Sequence, residues 1–257
     1  MQLMITFQQP EPNYLMRYPL LLTVQFMVIT LLAATTNSFS VQLLVVMSVL
    51  LNKLSKYKAT GLDNISAKLV RECAGLISIP VCNIFNNCLS SGLFPDDWKC
   101  ARVTPLFKQG ERTDVNNYRP ISVISITAKV FERIVYDQVY SFLANEKIIT
   151  NQQSGFRSLH LTVTVLLEAT DSWVLDIDHG NVNVVVFLDL KRAFDTVDHD
   201  VLSGKLSLYG IQESAYDWFK SYLNNCTQKC VVNGCFPKSV LWAVGSLREL
   251  SLVLSYF

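Results

Sequence analysis

The sequence predicts a mixed fold of helices and strands, of the α/β (α+β) class, and three patterns predict it. A near-continuous apolar run from Val182 to Leu188 is rich in β-branched residues, the composition of a strand buried on both faces. From Arg102 to Lys108, Val103, Pro105 and Phe107 alternate with Arg102, Thr104, Leu106 and Lys108, the period of a half-exposed strand with a basic face. Between these, apolar residues recur at helical spacing, above all Val130, Phe131, Ile134, Val135, Val139, Phe142 and Leu143.

Composition narrows the class. The chain has 257 residues, 50% of them apolar and 17% charged, with a net charge of +1. That length fits one large domain or two small ones. The charge gives no global signature for nucleic acid, so any such surface is local. The seven cysteines form no C-x-x-C pair. Cys226, Cys230 and Cys235 lie close together, but none of the three histidines is near them, which argues against zinc. Scattered free thiols fit a reducing compartment, so the expected location is intracellular, nucleus or cytoplasm. Residues 1–38 differ from the rest. Arg17 precedes a mostly apolar stretch, Tyr18 to Ala34, short for a membrane span and without the basic n-region of a signal peptide. A membrane or secretory segment and flanking sequence read into the open reading frame both stay open, with membrane association the weaker reading.

From Ser40 the chain becomes orderly. Val41 to Lys56 reads as a helix with Leu43, Leu44, Met47, Leu50, Leu51 and Leu54 on one face, ended by Gly61. Asp63 is placed to cap a second helix with Ile65, Leu69, Cys73 and Leu76 inward. A third starts near Pro80, carries Val81, Ile84, Phe85, Cys88 and Leu89, and stops at Gly92. The alternating strand follows, then a polar loop from Glu111 to Asn117 and a second strand at Tyr118 to Ser122. Lys108 before the loop and Arg119 after it make either a cationic hairpin or a solvated edge guarded by charge. Thr127 is placed to cap the long helix to Ala144. Q-S-G-F-R, Gln153 to Arg157, puts a Phe beside Gly and Arg, which suits base stacking and phosphate contact. A helix runs from about Leu161 to Asp176. After Leu188 the central strand meets a carboxylate, Asp189, which must be paired, solvated or bound to a metal. Asp198 is placed to cap a helix from His199 that ends at Gly210; another covers Glu213 to Leu223. Thr227 to Val232 reads as a strand and Asn233-Gly234 as a hairpin turn.

These motifs carry a resemblance. F-L-D-L-K-R-A-F-D-T-V-D-H, Phe187 to His199, resembles motif A of the reverse transcriptases of non-LTR retrotransposons, the LINE and jockey type. K-A-T-G-L-D-N-I-S (Lys58 to Ser66), Y-R-P-I-S (Tyr118 to Ser122), Q-S-G-F-R and W-F-K-S-Y-L-N-N (Trp218 to Asn225) match the same family. The likeness covers roughly Ser40 to Trp242. It departs at Ser158 to Thr162, where the family has a small polar run.

The resemblance implies the fingers and part of the palm of a right-hand polymerase, with an antiparallel palm sheet under packed helices and the thumb absent. Residues 39–244 would be this domain, with fingers at about 39–180 and partial palm at about 181–244. It implies RNA-directed DNA synthesis on an RNA template and DNA primer from deoxynucleoside triphosphates. Lys108 and Arg119 would hold the triphosphate. Phe194 would pack under the sugar and exclude the 2′-hydroxyl. Gly155, Phe156 and Arg157 would touch the template. Asp189 would be the catalytic carboxylate, and with the backbone carbonyl of Leu190 would bind Mg²⁺ (or Mn²⁺). The family's other two carboxylates come from a Y-A-D-D hairpin that this sequence lacks, so stable metal binding and polymerisation by this chain alone are not expected. Gly245 to Phe257 reads as motif B in a shifted frame: codons for G-V-P-Q-G-A-I-L-G-P-L-L-F, displaced by one base, can give G-S-L-R-E-L-S-L-V-L-S-Y-F. The alternatives are a non-catalytic nucleic-acid-binding remnant and an unstable fragment without function.

Overall fold

The computed structural model describes residues 3–4, 37–150, 153–157, 159–188 and 197–230. The chain divides into two compact units, a larger one of residues 20–141 and 194–257 and a smaller one of residues 1–19 and 142–193.

In the larger unit, helix α1 (Asn37–Asn52) buries Leu43, Met47 and Leu51, four of the spaced apolar positions once Leu54 just beyond its end is added. The helix stops at Asn52, well before Gly61. Gly61 serves another purpose: a Cβ there would come within 2.9 Å of the backbone of Ile124 and Ser125, so only a glycine lets the two segments approach. Helix α2 (Ala67–Glu72) is capped by Ser66, whose hydroxyl accepts from the Leu69 amide at 3.2 Å. Asp63 instead accepts from the Ile65 amide in a local turn. The inward face is Ala67 and Val70, while Ile65, Leu69 and Leu76 are exposed; the helix starts three residues later than an Asp63 cap would have it, and its buried stripe differs accordingly. Helix α3 (Ala74–Ser91) runs through Pro80. Pro80 lies on the exposed side, where water can serve the carbonyl that its missing N–H leaves. Gly92, at φ +66°, ends the helix as expected.

A three-stranded sheet follows, built from β2 (Cys100–Phe107), β3 (Tyr118–Val123) and β5 (Thr227–Cys230), with β2 in the middle. β3 is antiparallel to β2, and β5 is parallel to it. Helix α4 (Ile126–Asn145) buries all seven positions of its expected stripe. Its cap is Ser125, whose hydroxyl accepts from the Ala128 amide at 3.1 Å; the helix begins one residue before Thr127, so Thr127 is already inside it. Helices α6 (His199–Leu208) and α7 (Glu213–Leu223) complete the unit. Asp198 caps α6 by accepting from the amides of Asp200 and Val201.

An aromatic cluster joins these elements. Phe85 stacks on Phe131 at 4.1 Å, Trp218 stacks on Tyr222 at 5.4 Å, and Phe94 meets both Trp218 and Tyr222 edge-on. Each such pair is worth about 0.5–1.5 kcal/mol beyond its buried area. Several polar groups in this core find partners, while the buried Trp218 indole N–H has none among the described residues. The Tyr222 hydroxyl donates to Glu132 Oε1 at 2.8 Å. Buried Lys99 pairs with Asp96 at 2.8 Å and reaches the Ser221 hydroxyl, which also accepts from the Phe94 amide.

The smaller unit holds helix α5 (Thr162–Asp178) and a short antiparallel pair of β1 (Leu3–Met4) with β4 (Phe187–Leu188). Here the expectation for the central strand is corrected. Of Val182 to Leu188, only Phe187 and Leu188 form a strand, and Val182 is 88% exposed. A strand is buried on both faces only where strands flank it and layers cover it; among the described residues its partner is the two-residue β1.

Candidate functional site

The β2–β3 ribbon is the most completely built part of the site. Its register pairs Arg102 with Val123, Thr104 with Ile121, Leu106 with Arg119 and Phe107 with Tyr118. Strand β5 supports β2 only from Cys100 to Val103. From Thr104 outward the hairpin is therefore, among the described residues, a two-stranded ribbon, one face of which carries Thr104, Leu106 and Arg119. The Lys108 amide donates to the Asn117 carbonyl at 2.8 Å, which extends the ladder one step. By the pleat, Lys108 falls on the same face as Arg119 and diagonal to it, a spacing of about 7–8 Å. Both are exposed, and neither forms an ion pair among the described residues. Two unpaired cations at that separation suit a polyphosphate, whose charges repeat along a short chain.

The loop between them is held from inside. The Asn117 side-chain amide donates to the Glu111 carbonyl at 2.9 Å. Gly110 lies against it at φ +91°, where a Cβ would come 2.6 Å from Asn117 Nδ2. A 3-10 turn at Val115–Asn117 is capped by Asp114, which accepts from the Asn116 amide. On the opposite face of the ribbon, the Arg112 guanidinium stands 5.3 Å over the Phe107 ring, and the Tyr118 hydroxyl donates to the Arg112 carbonyl. The sequence reading missed Gly110, Arg112 and Asn117. A Gly and an Asn spaced across a polar loop were a visible signal, but their contact depends on the register.

Gly155, Phe156 and Arg157 belong to the smaller unit. Phe156 has φ +62° and is 36% exposed; a bulky residue held in that region marks a constrained turn. Arg157 Nη1 donates to the carbonyls of Thr150 and Gln153 at 3.1 and 3.2 Å. Arg157 thus ties its own loop together and uses part of its donor set in doing so. Asp189, Leu190 and Phe194 lie outside the described residues, as do the tail from Gly245 and the apolar stretch from Tyr18. Among the described residues no group of His, Cys, Asp or Glu is arranged to hold a metal ion, and no helix is long and apolar enough to cross a membrane.

Burial, with no charge to offset it, pushes the Cys88 thiol up; the Cys82 thiol is also raised by burial, against a hydrogen bond from Asn86 that lowers it. The Cys226 thiol is pushed up to about 11 by burial, with the Lys99 charge opposing and Glu132 reinforcing. None has the low-pKa character of a nucleophile.

Residues 108–244 match the family model of the reverse transcriptase (RNA-dependent DNA polymerase). The chain is 31% identical to the RNA-directed DNA polymerase from mobile element jockey of Drosophila melanogaster, over 72% of this chain and 20% of that protein. It is 29% identical to a protein described as the probable RNA-directed DNA polymerase from transposon BS of the same species, over 65% of this chain and 18% of that one. The jockey polymerase of Drosophila funebris is 26% identical over 72% of this chain. The chain thus spans about a fifth of the length of these relatives.

Proposed function

We propose, on the premise that this chain belongs to the reverse transcriptase family, LINE and jockey type, that it is the nucleotide-gripping segment of a retrotransposon RNA-directed DNA polymerase. One observation carries this reading: Lys108 and Arg119 share an exposed face of a ribbon whose loop is fixed by Gly110 and Asn117. In this role residues of about 39–180 supply the fingers and those of about 181–244 part of the palm, and the ribbon is the fingertip over the incoming deoxynucleoside triphosphate. Arg119 gives a planar fork to two phosphate oxygens, and Lys108 neutralises a neighbouring one. Among the described residues neither cation spends its charge on a carboxylate, which leaves both for the ligand. Phe156, held by the Arg157 tether, is the stacking surface for the template strand, with Gly155 allowing close approach. Phe194 is the residue that excludes the 2′-hydroxyl.

Asp189 and the Leu190 carbonyl are the groups that would hold Mg²⁺ (or Mn²⁺). When bound, the ion would activate the primer 3′ oxygen and neutralise the leaving pyrophosphate. Octahedral oxygen coordination asks for more ligands than one carboxylate and one carbonyl, so this chain alone is proposed not to polymerise. The shifted-frame reading of Gly245 onward is supported by a family match that runs to residue 244. Transcript sequence lacking G-V-P-Q-G in the displaced frame would remove it.

The test is titration of the chain with magnesium deoxythymidine triphosphate, followed by calorimetry. Binding that weakens about tenfold or more in Lys108→Ala and in Arg119→Ala is expected, since charge-assisted hydrogen bonds contribute about 1.5–3 kcal/mol each. Equal affinity in the variants would overturn the assignment. A second reading, a nucleic-acid-binding remnant without catalysis, is favoured by the same unpaired cations and predicts primer–template binding that falls steeply with salt.

A further inference from the structure

The tip of the β2–β3 ribbon has little beneath it. Strand β5 pairs with β2 only from Cys100 to Val103, and a two-stranded ribbon by itself is at best marginally stable in water. The face turned away from Lys108 and Arg119 supplies a brace. Phe107 and Tyr118 are directly opposed in the register, and their rings meet edge-on with centroids 5.5 Å apart. Both are half-buried although they stand at the end of the hairpin. Arg112, part-way round the loop, folds back onto this pair. Its guanidinium is 5.3 Å over the Phe107 ring, and its carbonyl accepts from the Tyr118 hydroxyl at 2.9 Å.

Two features make this clamp specific. Arg112 has Glu111 beside it and Asp114 two residues on, yet among the described residues it pairs with neither. The Asp114 carboxylate accepts instead from the backbone and side-chain amides of Asn116, and the guanidinium lies on the ring. Arg112 is also tied to both strands at once, by its side chain to Phe107 on β2 and by its main chain to Tyr118 on β3. A loop held to both strands at one residue cannot slide along either without breaking a contact. Lys108 and Arg119 are the next residues after Phe107 and Tyr118, so the pleat points them to the other face.

We propose that Arg112 and Tyr118 are positioning residues for the triphosphate grip: they clamp the loop to the back of the ribbon and hold Lys108 and Arg119 at phosphate spacing without touching the ligand. The proposal rests on the reading of the ribbon as a triphosphate site. What the clamp contributes is pre-organisation. Cations on an unbraced ribbon lose backbone as well as side-chain freedom when a ligand arrives, and a tip that is already fixed loses less. A direct phosphate contact would require Arg112 on the Lys108 face, and its guanidinium lies on the opposite one.

The experiment is calorimetric titration of the full chain with magnesium deoxythymidine triphosphate, comparing wild type with Tyr118→Phe, Arg112→Gln, Arg112→Lys and Phe107→Leu. Tyr118→Phe is expected to weaken binding about 2- to 10-fold, the equivalent of one neutral hydrogen bond. Arg112→Gln and Phe107→Leu are each expected to weaken it about 2- to 5-fold, the equivalent of one exposed cation–π contact. Combined, they should weaken it no more than either alone, because they break the same contact. Arg112→Lys keeps a cation for the ring and should bind within about twofold of wild type; this rescue separates positioning from loss of fold. Tyr118→Phe should leave the salt dependence of binding as in wild type, whereas Lys108→Ala should flatten it, since only the latter removes a screened charge contact. Weakened binding in Arg112→Gln with wild-type affinity in Phe107→Leu would make Arg112 a direct phosphate contact and overturn the proposal. Full affinity in both Tyr118→Phe and Arg112→Gln would remove the clamp alone and leave the ribbon as the triphosphate site. Wild type that binds no triphosphate would remove the ribbon reading and this proposal with it.

Discussion

The amide of Lys108 donates to the carbonyl of Asn117 at 2.8 Å, one step beyond the last strand pair, Phe107 with Tyr118. This bond places the Lys108 side chain on the face that carries Arg119, and the Asn117 side chain holds the loop closed from the same residue. Asn117→Ala should keep the fold but loosen the loop, at a cost of about 0.5–1.5 kcal/mol for the lost hydrogen bond. Gly110→Ala should cost about 1–2 kcal/mol, because φ +91° is strained for any residue with a Cβ. Amide hydrogen exchange over residues 108–117 is the measurement, and faster exchange confined to that segment is the expected result.

Arg119→Lys separates charge from shape. If Arg119 grips phosphate through its planar fork, lysine should recover only part of the affinity lost in Arg119→Ala. Both variants should unfold within about 0.5 kcal/mol of wild type in urea, since the side chain is exposed and makes no ion pair among the described residues.

The Glu132–Tyr222 bond lies inside the aromatic core, with each residue 1% exposed. Tyr222→Phe takes one donor from a buried carboxyl and should destabilise the chain by about 1–3 kcal/mol. Asp137→Ala breaks the exposed Arg133–Asp137 pair and should cost under about 0.5 kcal/mol. Urea midpoints at constant m-value provide the comparison.

Cys226 gives a pH prediction. Its folded-state value of about 11 stands above the ordinary value of 9.0 because burial disfavours the thiolate. Below pH 9 the thiol is protonated folded and unfolded, and its contribution to stability is complete. Between pH 9 and about 11 the unfolded chain loses the proton while the folded chain keeps it, so stability falls as pH rises. The melting temperature should drop through that window, and Cys226→Ser should flatten the drop.

Much of this was readable from residue spacing. The buried stripe of α4, the bounds of α7, the Asp198 cap and the alternation of β2 all depend on neighbours within a few residues. What failed depended on the exact helix starts or on partners far along the chain. Ser66 and Ser125 took the caps expected of Asp63 and Thr127 because each helix began a residue or more away from the expected start. Pro80 entered the interior of α3 because that side faces water. The run from Val182 looked like a core strand, yet its composition cannot supply the flanking strands that would bury it. In the site, Lys108 and Arg119 were visible as cations flanking a loop. The Gly110–Asn117 contact was not, since it exists only once the register is set.

The most direct test of the central claim is photo-crosslinking with deoxythymidine triphosphate carrying an aryl azide on its γ-phosphate, followed by mass mapping of the labelled peptide. The account predicts an adduct within the β2–β3 ribbon and its loop, lost in the Lys108→Ala, Arg119→Ala double variant. An adduct on other peptides, or one of equal yield in the double variant, would contradict it.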